Sequence, residues 1–199
     1  MNFMELMKKT RSTRRFKENT SVSEDTLYYL LEAASFCPSA MNRQPLKYVL
    51  SHSEELNDKI FECLIWAPYI KEWAGPEKGE RPAAYMIMCV ERSLAKNVEF
   101  DAGIQAHCIA LAAADISLGS CIMEKVNFKK LAKIIDLDES LEPILVIALG
   151  EPDEEIVIDD IVDEAEGGHG IKFYHDEEGR HHVPKRKAGD MLLAVNSSL

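Results

Sequence analysis

Ala83-Ala-Tyr-Met-Ile-Met-Cys-Val90 is an apolar run of strand length, bounded by Pro82 and Glu91. A strand that is apolar at every position has to be covered on both faces, which places it at the centre of a sheet. Working outward, Pro143 to Gly150 reads as a second buried strand and Lys47 to Leu50 as a short one. Helices lie between them. Ser23 stands as N-cap of a helix running to about Cys37, with Val22 and Leu27 placed as a hydrophobic staple. Ser53 caps a further helix to about Ala67, and Asn127 another to about Ile135. Asp101 begins a long helix rich in small residues (Ala102, Gly103, Ala106, Ala110, Ala112, Ala113, Ala114) that ends at Gly119. Small residues let another backbone come close, so this helix is expected to be central and heavily packed. Strands interleaved with helices give a layered α/β or α+β domain.

The remaining segments are less regular. Residues 2–9 pattern as a short amphipathic helix with Phe3, Leu6 and Met7 on one face, followed by the basic run Arg11-Ser-Thr-Arg-Arg-Phe-Lys17. Pro38-Ser-Ala-Met-Asn-Arg-Gln-Pro45 is a loop by its turn chemistry, and residues 68–82, with Pro68, Gly75, Pro76, Gly79 and Pro82, form an irregular excursion. Trp66, Tyr69 and Trp73 border that excursion, which is either a lid or a plain surface cluster.

The chain has 199 residues and a formal net charge of −11, enough length for one domain over 1–199 with its own core. Net acidity repels phosphate backbones and anionic lipids, so general nucleic-acid or membrane-surface binding is disfavoured. The charge is uneven. Residues 136–178 hold sixteen acidic residues against Lys172 alone, whereas residues 1–50 are net basic. The acidic segment 153–182 is expected to vary, with its run 153–166 as solvated surface, and is followed by a C-terminal extension, 183–199, with a basic cluster. Five cysteines occur without a Cys-x-x-Cys pair, so neither a zinc ribbon nor a thioredoxin-type site is encoded, and buried free thiols are expected. The N-terminus lacks a signal-peptide core, and Ile104 to Leu118 is too short and too polar to span a membrane. A reducing cytoplasm is the expected compartment.

Two basic clusters stand out in this acidic chain: the run from Arg11, and Val183-Pro-Lys-Arg-Lys187. Each alone reads equally as a solvated basic face. Together they suggest a bound phosphate held by charge-assisted contacts. No Gly-x-x-x-x-Gly-Lys-Ser/Thr and no Gly-x-Gly-x-x-Gly occurs, so neither a P-loop nor a Rossmann phosphate site is available. The hydroxyl and amides of the 38–45 loop offer the mixed donors and acceptors that a neutral ring such as an isoalloxazine requires, although Ser39 and Asn42 could also serve only as a cap and turn. His169, His175, His181 and His182 are spaced 6, 6 and 1 apart, matching no standard zinc arrangement, so exposed loop or strand-edge histidines and no metal are expected.

Arg11-Ser-Thr-Arg-Arg-Phe16, Ala33-Ala-Ser-Phe-Cys-Pro-Ser-Ala-Met-Asn-Arg-Gln-Pro45, Phe100-Asp-Ala-Gly103, Leu118-Gly-Ser-Cys-Ile-Met123 and Val183-Pro-Lys-Arg-Lys187 together resemble the FMN-dependent nitroreductase family. The resemblance implies an α+β fold, a three-layer α/β/α sandwich with a mostly antiparallel mixed sheet. It implies FMN as cofactor and NADH or NADPH as hydride donor, with ping-pong transfer through flavin N5 to a nitroaromatic, quinone or similar small-molecule acceptor. It also implies a homodimer whose two FMN sites are each lined by both subunits.

By position, Arg11 and Ser12 would meet the phosphate or ribityl end, aided by Lys185 and Lys187. Arg14 would approach the N1–C2 edge, where a cation stabilises the reduced flavin. Pro38, Ser39, Asn42 and Gln44 would line the pyrimidine and ribityl side, and the backbone of Met123 and Glu124 would face N5. The flavin does the hard step, so no side chain is assigned as catalytic. Thr10 and Glu124 depart from the family pattern, which commonly has arginine and glycine there. A specialised relative resembling a reductive dehalogenase, or a non-catalytic flavin- or partner-binding protein, remain the alternatives.

Overall fold

A computed structural model describes residues 1–67, 70 and 73–195. The chain divides into two compact units, one formed by Met1–Trp66 and Ala74–Asp153, the other by Ala67–Trp73 and Glu154–Leu199.

The first unit is built on a four-stranded sheet. Its strands are β1 (Leu46–Ser51), β2 (Ala84–Glu91), β3 (Gly119–Met123) and β4 (Leu141–Gly150), in the order β1-β2-β4-β3, every neighbouring pair antiparallel. The run read as a central strand is β2, and all seven residues from Ala84 to Val90 are fully buried. Ala84, Met86 and Met88, with Ile147 and Leu149 of β4, face α2 (Glu24–Ser35) and α4 (Glu99–Asp115), forming one core with Leu27, Leu30, Ala106, Ile109 and Ala113. The alternate residues Tyr85, Ile87, Cys89, Val146 and Ala148 point to the other face and are equally buried. On that side α5 (Phe128–Ile134) packs on β4 and α3 (Glu54–Phe61) packs on α5. The layered α+β arrangement follows from these two covered faces.

Local signals hold where they were read. Asn2 caps α1 (Phe3–Lys9) in a capping box with Glu5, and Ser23, Ser53 and Asn127 each accept a backbone N–H as N-caps. Val22 and Leu27 are both buried. Three helices stop short of their patterns, α2 at Ser35, α3 at Phe61 and α4 at Asp115, with Gly119 opening a strand instead of closing the helix. The strand β3 had no sequence reading. It is only five residues long and begins with Gly119 and Ser120, so no apolar run of strand length marks it. All five cysteines are free thiols.

The second unit carries β5 (Ile156–Asp160), β6 (Tyr174–His175), β7 (His181–Lys185) and a terminal turn of helix, α6 (Ala188–Met191). Strand β7 is central, parallel to β5 and antiparallel to β6. Among the described residues no helix is long and apolar enough to cross a membrane.

Candidate functional site

Helix α4 organises the candidate site, because segments carrying the expected residues attach at its two ends. At its N-terminal end, the buried Asp101 carboxylate accepts the Ser39 hydroxyl at 2.6 Å and the Ala40 N–H at 3.1 Å. A carboxylate in the first turn also sits favourably against the helix dipole. The Ser39 Oγ in turn accepts the Gln44 N–H at 2.9 Å, and Gln44 Nε2 donates to Asn42 Oδ1 at 3.1 Å. The loop between Pro38 and Pro45 is therefore a hydrogen-bonded knot. Met41, Asn42 and Gln44 adopt positive φ angles of 54°, 54° and 48° inside it. Non-glycine residues hold that conformation only when the surroundings fix it, and such strain clusters at binding sites. Pro38, Asn42 and Gln44 are exposed. Ser39 is engaged within the knot, so its hydroxyl positions the loop. Asp101 stands in the Phe100–Gly103 motif at a helix start, but nothing local marks it as the anchor of this loop.

At the other end of α4, Lys9 Nζ donates to Ser117 Oγ at 3.2 Å, and the basic run then lies along β3. Ser12 bridges Ser120 in parallel, and the Thr13 N–H donates to the Ser120 carbonyl at 2.8 Å. Gly119 is required here: a Cβ at this position would stand 2.6 Å from Thr13 Oγ1. The packing alternates. Thr13 is buried, Ser12 is exposed and Arg14 is half-buried, with Nη1 donating to the Ser12 carbonyl at 3.2 Å. Arg11 turns back onto α1, donating from Nη2 to Met7 O at 3.0 Å and from Nε to Thr10 O. A cation there complements the C-terminal end of the helix dipole, and two donors in use leave three more on the guanidinium. Burial pushes the Arg11 guanidinium down from its ordinary value. Thr10, the position where arginine is common in the resembling family, is buried and donates to Leu6 O at 2.8 Å. It serves as a helix cap.

Three residues along β3 from Ser120 comes Met123, a separation of about 10 Å at strand rise. Met123 is buried and paired with Val146, and the exposed Glu124 lies just past the strand. The structure thus brings Arg11, Ser12, Arg14, Met123 and Glu124 to one strand edge. Pro38, Ser39, Asn42 and Gln44 gather at the far end of α4. Fourteen residues of helix separate Asp101 from Asp115, the last residue of α4, a rise of about 21 Å. Lys185 and Lys187 belong to the second unit. Lys185 ends β7, and Lys187 Nζ pairs with Asp160 at 3.0 Å.

Two hollows of the first unit are built mainly from other residues. A cleft of about 550 Å³ is lined by Glu18, His52, Asn57, Asp58, Arg81 and Tyr85 among others, and contains none of the expected site residues. A smaller one, about 350 Å³, lies between Ala40, Met41 and Arg43 of the loop and residues 92–97. The expected lid includes Pro68 and Tyr69, which lie outside the described residues. Of the lid aromatics that are described, Trp66 is buried against Phe61, and Trp73 sets its edge against His175.

The expectation of exposed loop or strand-edge histidines holds at His169 and at His175 on the edge strand β6, and is corrected at His181 and His182 on the central β7. His181 is fully buried, and His175 and His182 are partly buried. His182 Nδ1 meets Asp159 at 2.6 Å and its Nε2 meets Asp176 at 2.9 Å, while Tyr174 stacks on its ring. The two carboxylates raise the affinity of His182 for a proton above the ordinary imidazole value, against the opposing effect of burial. Part of the acidic run is likewise turned inward as partners rather than left as solvated surface.

Residues 7–151 match the profile of the Nitroreductase family. The chain belongs to the nitroreductase family. A relative from Methanothermobacter thermautotrophicus, described as an NADH dehydrogenase/NAD(P)H nitroreductase, is 28% identical over 77% of this chain and 79% of its own. An iodotyrosine deiodinase from Thermotoga neapolitana is 24% identical over 75% of this chain and 88% of its own. Among solved structures, a nitroreductase from Desulfovibrio desulfuricans in complex with FMN superposes with a TM-score of 0.67 at 19% identity, covering 100% of this chain and 99% of that one. These neighbours share the nitroreductase fold.

Proposed function

We propose that this nitroreductase-family chain is an FMN-dependent oxidoreductase, taking a hydride from NADH or NADPH and passing it to a nitroaromatic, quinone or similar small acceptor by a ping-pong mechanism. The observation that carries this reading is the pair of half-sites at the two ends of α4. One offers guanidinium and hydroxyl groups, the other neutral amides on a rigid loop. That donor set fits FMN, which has an anionic phosphate at one end and a many-edged neutral ring at the other. When bound, FMN would supply the hydride relay through N5.

The chain's own residues bind and tune. Ser12 and the remaining donors of Arg11 would hold the phosphate end, and the spacing from Ser120 to Met123 is of the order of a ribityl chain. Arg14 would stand near the edge that gains negative charge on reduction, favouring the reduced form and raising the potential. The backbone of Met123 and Glu124 would face N5, and the Asn42 and Gln44 amides would hold the ring. No side chain has to act as a nucleophile.

A homodimer fits the same geometry. With the half-sites at opposite ends of about 21 Å of one helix, a flavin seated at the Ser12–Arg14 end is completed by the loop of a second copy. A two-fold pairing that crosses α4 antiparallel to its mate brings opposite ends together twice. Phe100, Ile104 and His107 support this, because they form an exposed stripe along α4, with Phe100 87% exposed.

The purified protein is expected to be yellow, to lose its flavin absorbance anaerobically with NADH or NADPH, and to regain it on addition of a nitroaromatic or quinone. The deiodinase relative adds halogenated phenols to the same acceptor panel. A colourless protein that takes up no FMN contradicts the reading. Bound FMN that neither nucleotide reduces points instead to a flavin-binding module.

A further inference from the structure

We propose that Glu154, His175 and His181 form a binding site for a divalent metal ion of the zinc class, within the second unit. One carboxylate and two imidazole donor atoms lie within 4.8 Å of one another. Strand register explains how. His175 of β6 pairs directly with His181 of β7 in the antiparallel ladder, so both rings leave the same face. Their centroids are 5.0 Å apart. The neighbouring His182 leaves the opposite face and is held by Asp159 and Asp176, which keeps it out of the set. Glu154 is brought in by the other edge of β7: the His181 N–H donates to the Glu155 carbonyl at 2.8 Å, just before β5 begins.

The surroundings favour a bound cation. His181 is 0% exposed, and Glu154 Oε2, His175 Nε2 and His181 Nδ1 are all buried. Trp73 meets His175 nearly at right angles and the Phe173 ring centroid lies 5.4 Å from that of His181, so aromatic rings flank both imidazoles. Nitrogen and oxygen donors of this kind suit zinc, and three protein ligands leave a fourth position for water or a small anion. Donors around a tetrahedral zinc stand about 3.4 Å apart for bonds of about 2.0–2.1 Å. Small side-chain rotations close the observed set onto an ion. The sequence spacing concealed the arrangement because two ligands meet across a ladder and the third arrives from a parallel neighbour.

The site is independent of the flavin reading and is tested without turnover. Untagged protein is stripped with a chelator, dialysed, and titrated with Zn²⁺ in competition with a chromophoric zinc indicator, with Tm recorded before and after. The expected result is one Zn²⁺ per chain and a raised Tm, since a ligand that binds only the folded state stabilises it. Glu154→Gln and His175→Gln should bind at least about 100-fold more weakly, whereas exposed His52→Gln should bind as the unaltered protein does. Circular dichroism checks that the variants fold. X-ray absorption of the unaltered zinc-loaded protein reads the ligands directly and should show two imidazoles. Failure to take up zinc, an unmoved Tm, undiminished binding in both folded ligand variants, or an absorption spectrum without imidazole ligands overturns the proposal.

Discussion

The two ends of α4 are held by different means. At the N-terminal end a buried carboxylate, Asp101, gathers a loop by hydrogen bonds to Ser39 and Ala40. At the C-terminal end the basic run lies against β3 through backbone pairing at Ser12 and Thr13 and through the close approach of Thr13 to Gly119. One end is an electrostatic latch and the other a steric fit. The first tolerates adjustment, because exposed neighbours and water can replace a hydrogen bond. The second does not, because buried Thr13 has no room to retreat.

Breaking the steric end should have the larger effect. Gly119→Val puts a branched side chain where even a Cβ meets Thr13, and is expected to cost stability at the upper end of about 1–3 kcal/mol. Thermal or urea unfolding reads this, and flavin uptake should be lost with it. Asp101→Ala comes next. It leaves the Ser39 hydroxyl and Ala40 N–H without their acceptor in a partly exposed setting, for about 1 kcal/mol. FMN affinity should fall by more than that stability change alone accounts for, because the knot that sets Asn42 and Gln44 is released. Arg14→Ala should leave the unfolding midpoint nearly unchanged while weakening FMN binding about tenfold and lowering the flavin potential. Unaltered affinity and potential would remove Arg14 from the site.

The sequence made the first unit legible where apolar burial organises it. The run Ala83–Val90, the caps Ser23, Ser53 and Asn127, and the staple Val22–Leu27 all carry local signals of pattern or capping chemistry. Strand β3 escapes because its five residues include Gly119 and Ser120 and so give too short an apolar pattern to read. The helix after Ser53 was read too long because Cys63 to Ala67 stay apolar after the helix ends, with Cys63, Trp66 and Ala67 buried in irregular structure. The second unit follows another logic. Among the described residues its fully buried one is His181, and the ties it shows are polar or aromatic: His182 between two aspartates, Tyr174 stacked on His182, and Lys187 on Asp160. Such pairings leave no periodic trace, so a stretch of scattered acids and histidines reads as solvated surface. The same holds in the candidate site. Arg11–Arg14 and Ser39–Gln44 were recognisable as motifs, but their separation by the length of α4 was not, and neither was the role of Asp101 as anchor.

That separation makes the shared site the central claim, and mixed dimers test it most directly. Arg14→Ala damages one half-site and Asp101→Ala the other. Chains carrying the two substitutions, given different affinity tags, are paired and the mixed dimers isolated at an FMN concentration where neither variant alone retains flavin. If each site joins the strand edge of one chain to the loop of its partner, one site of the mixed dimer carries both defects and the other carries none. The account predicts one FMN per two chains, reducible by NADH or NADPH. Mixed dimers that hold no more flavin than either variant alone would contradict it.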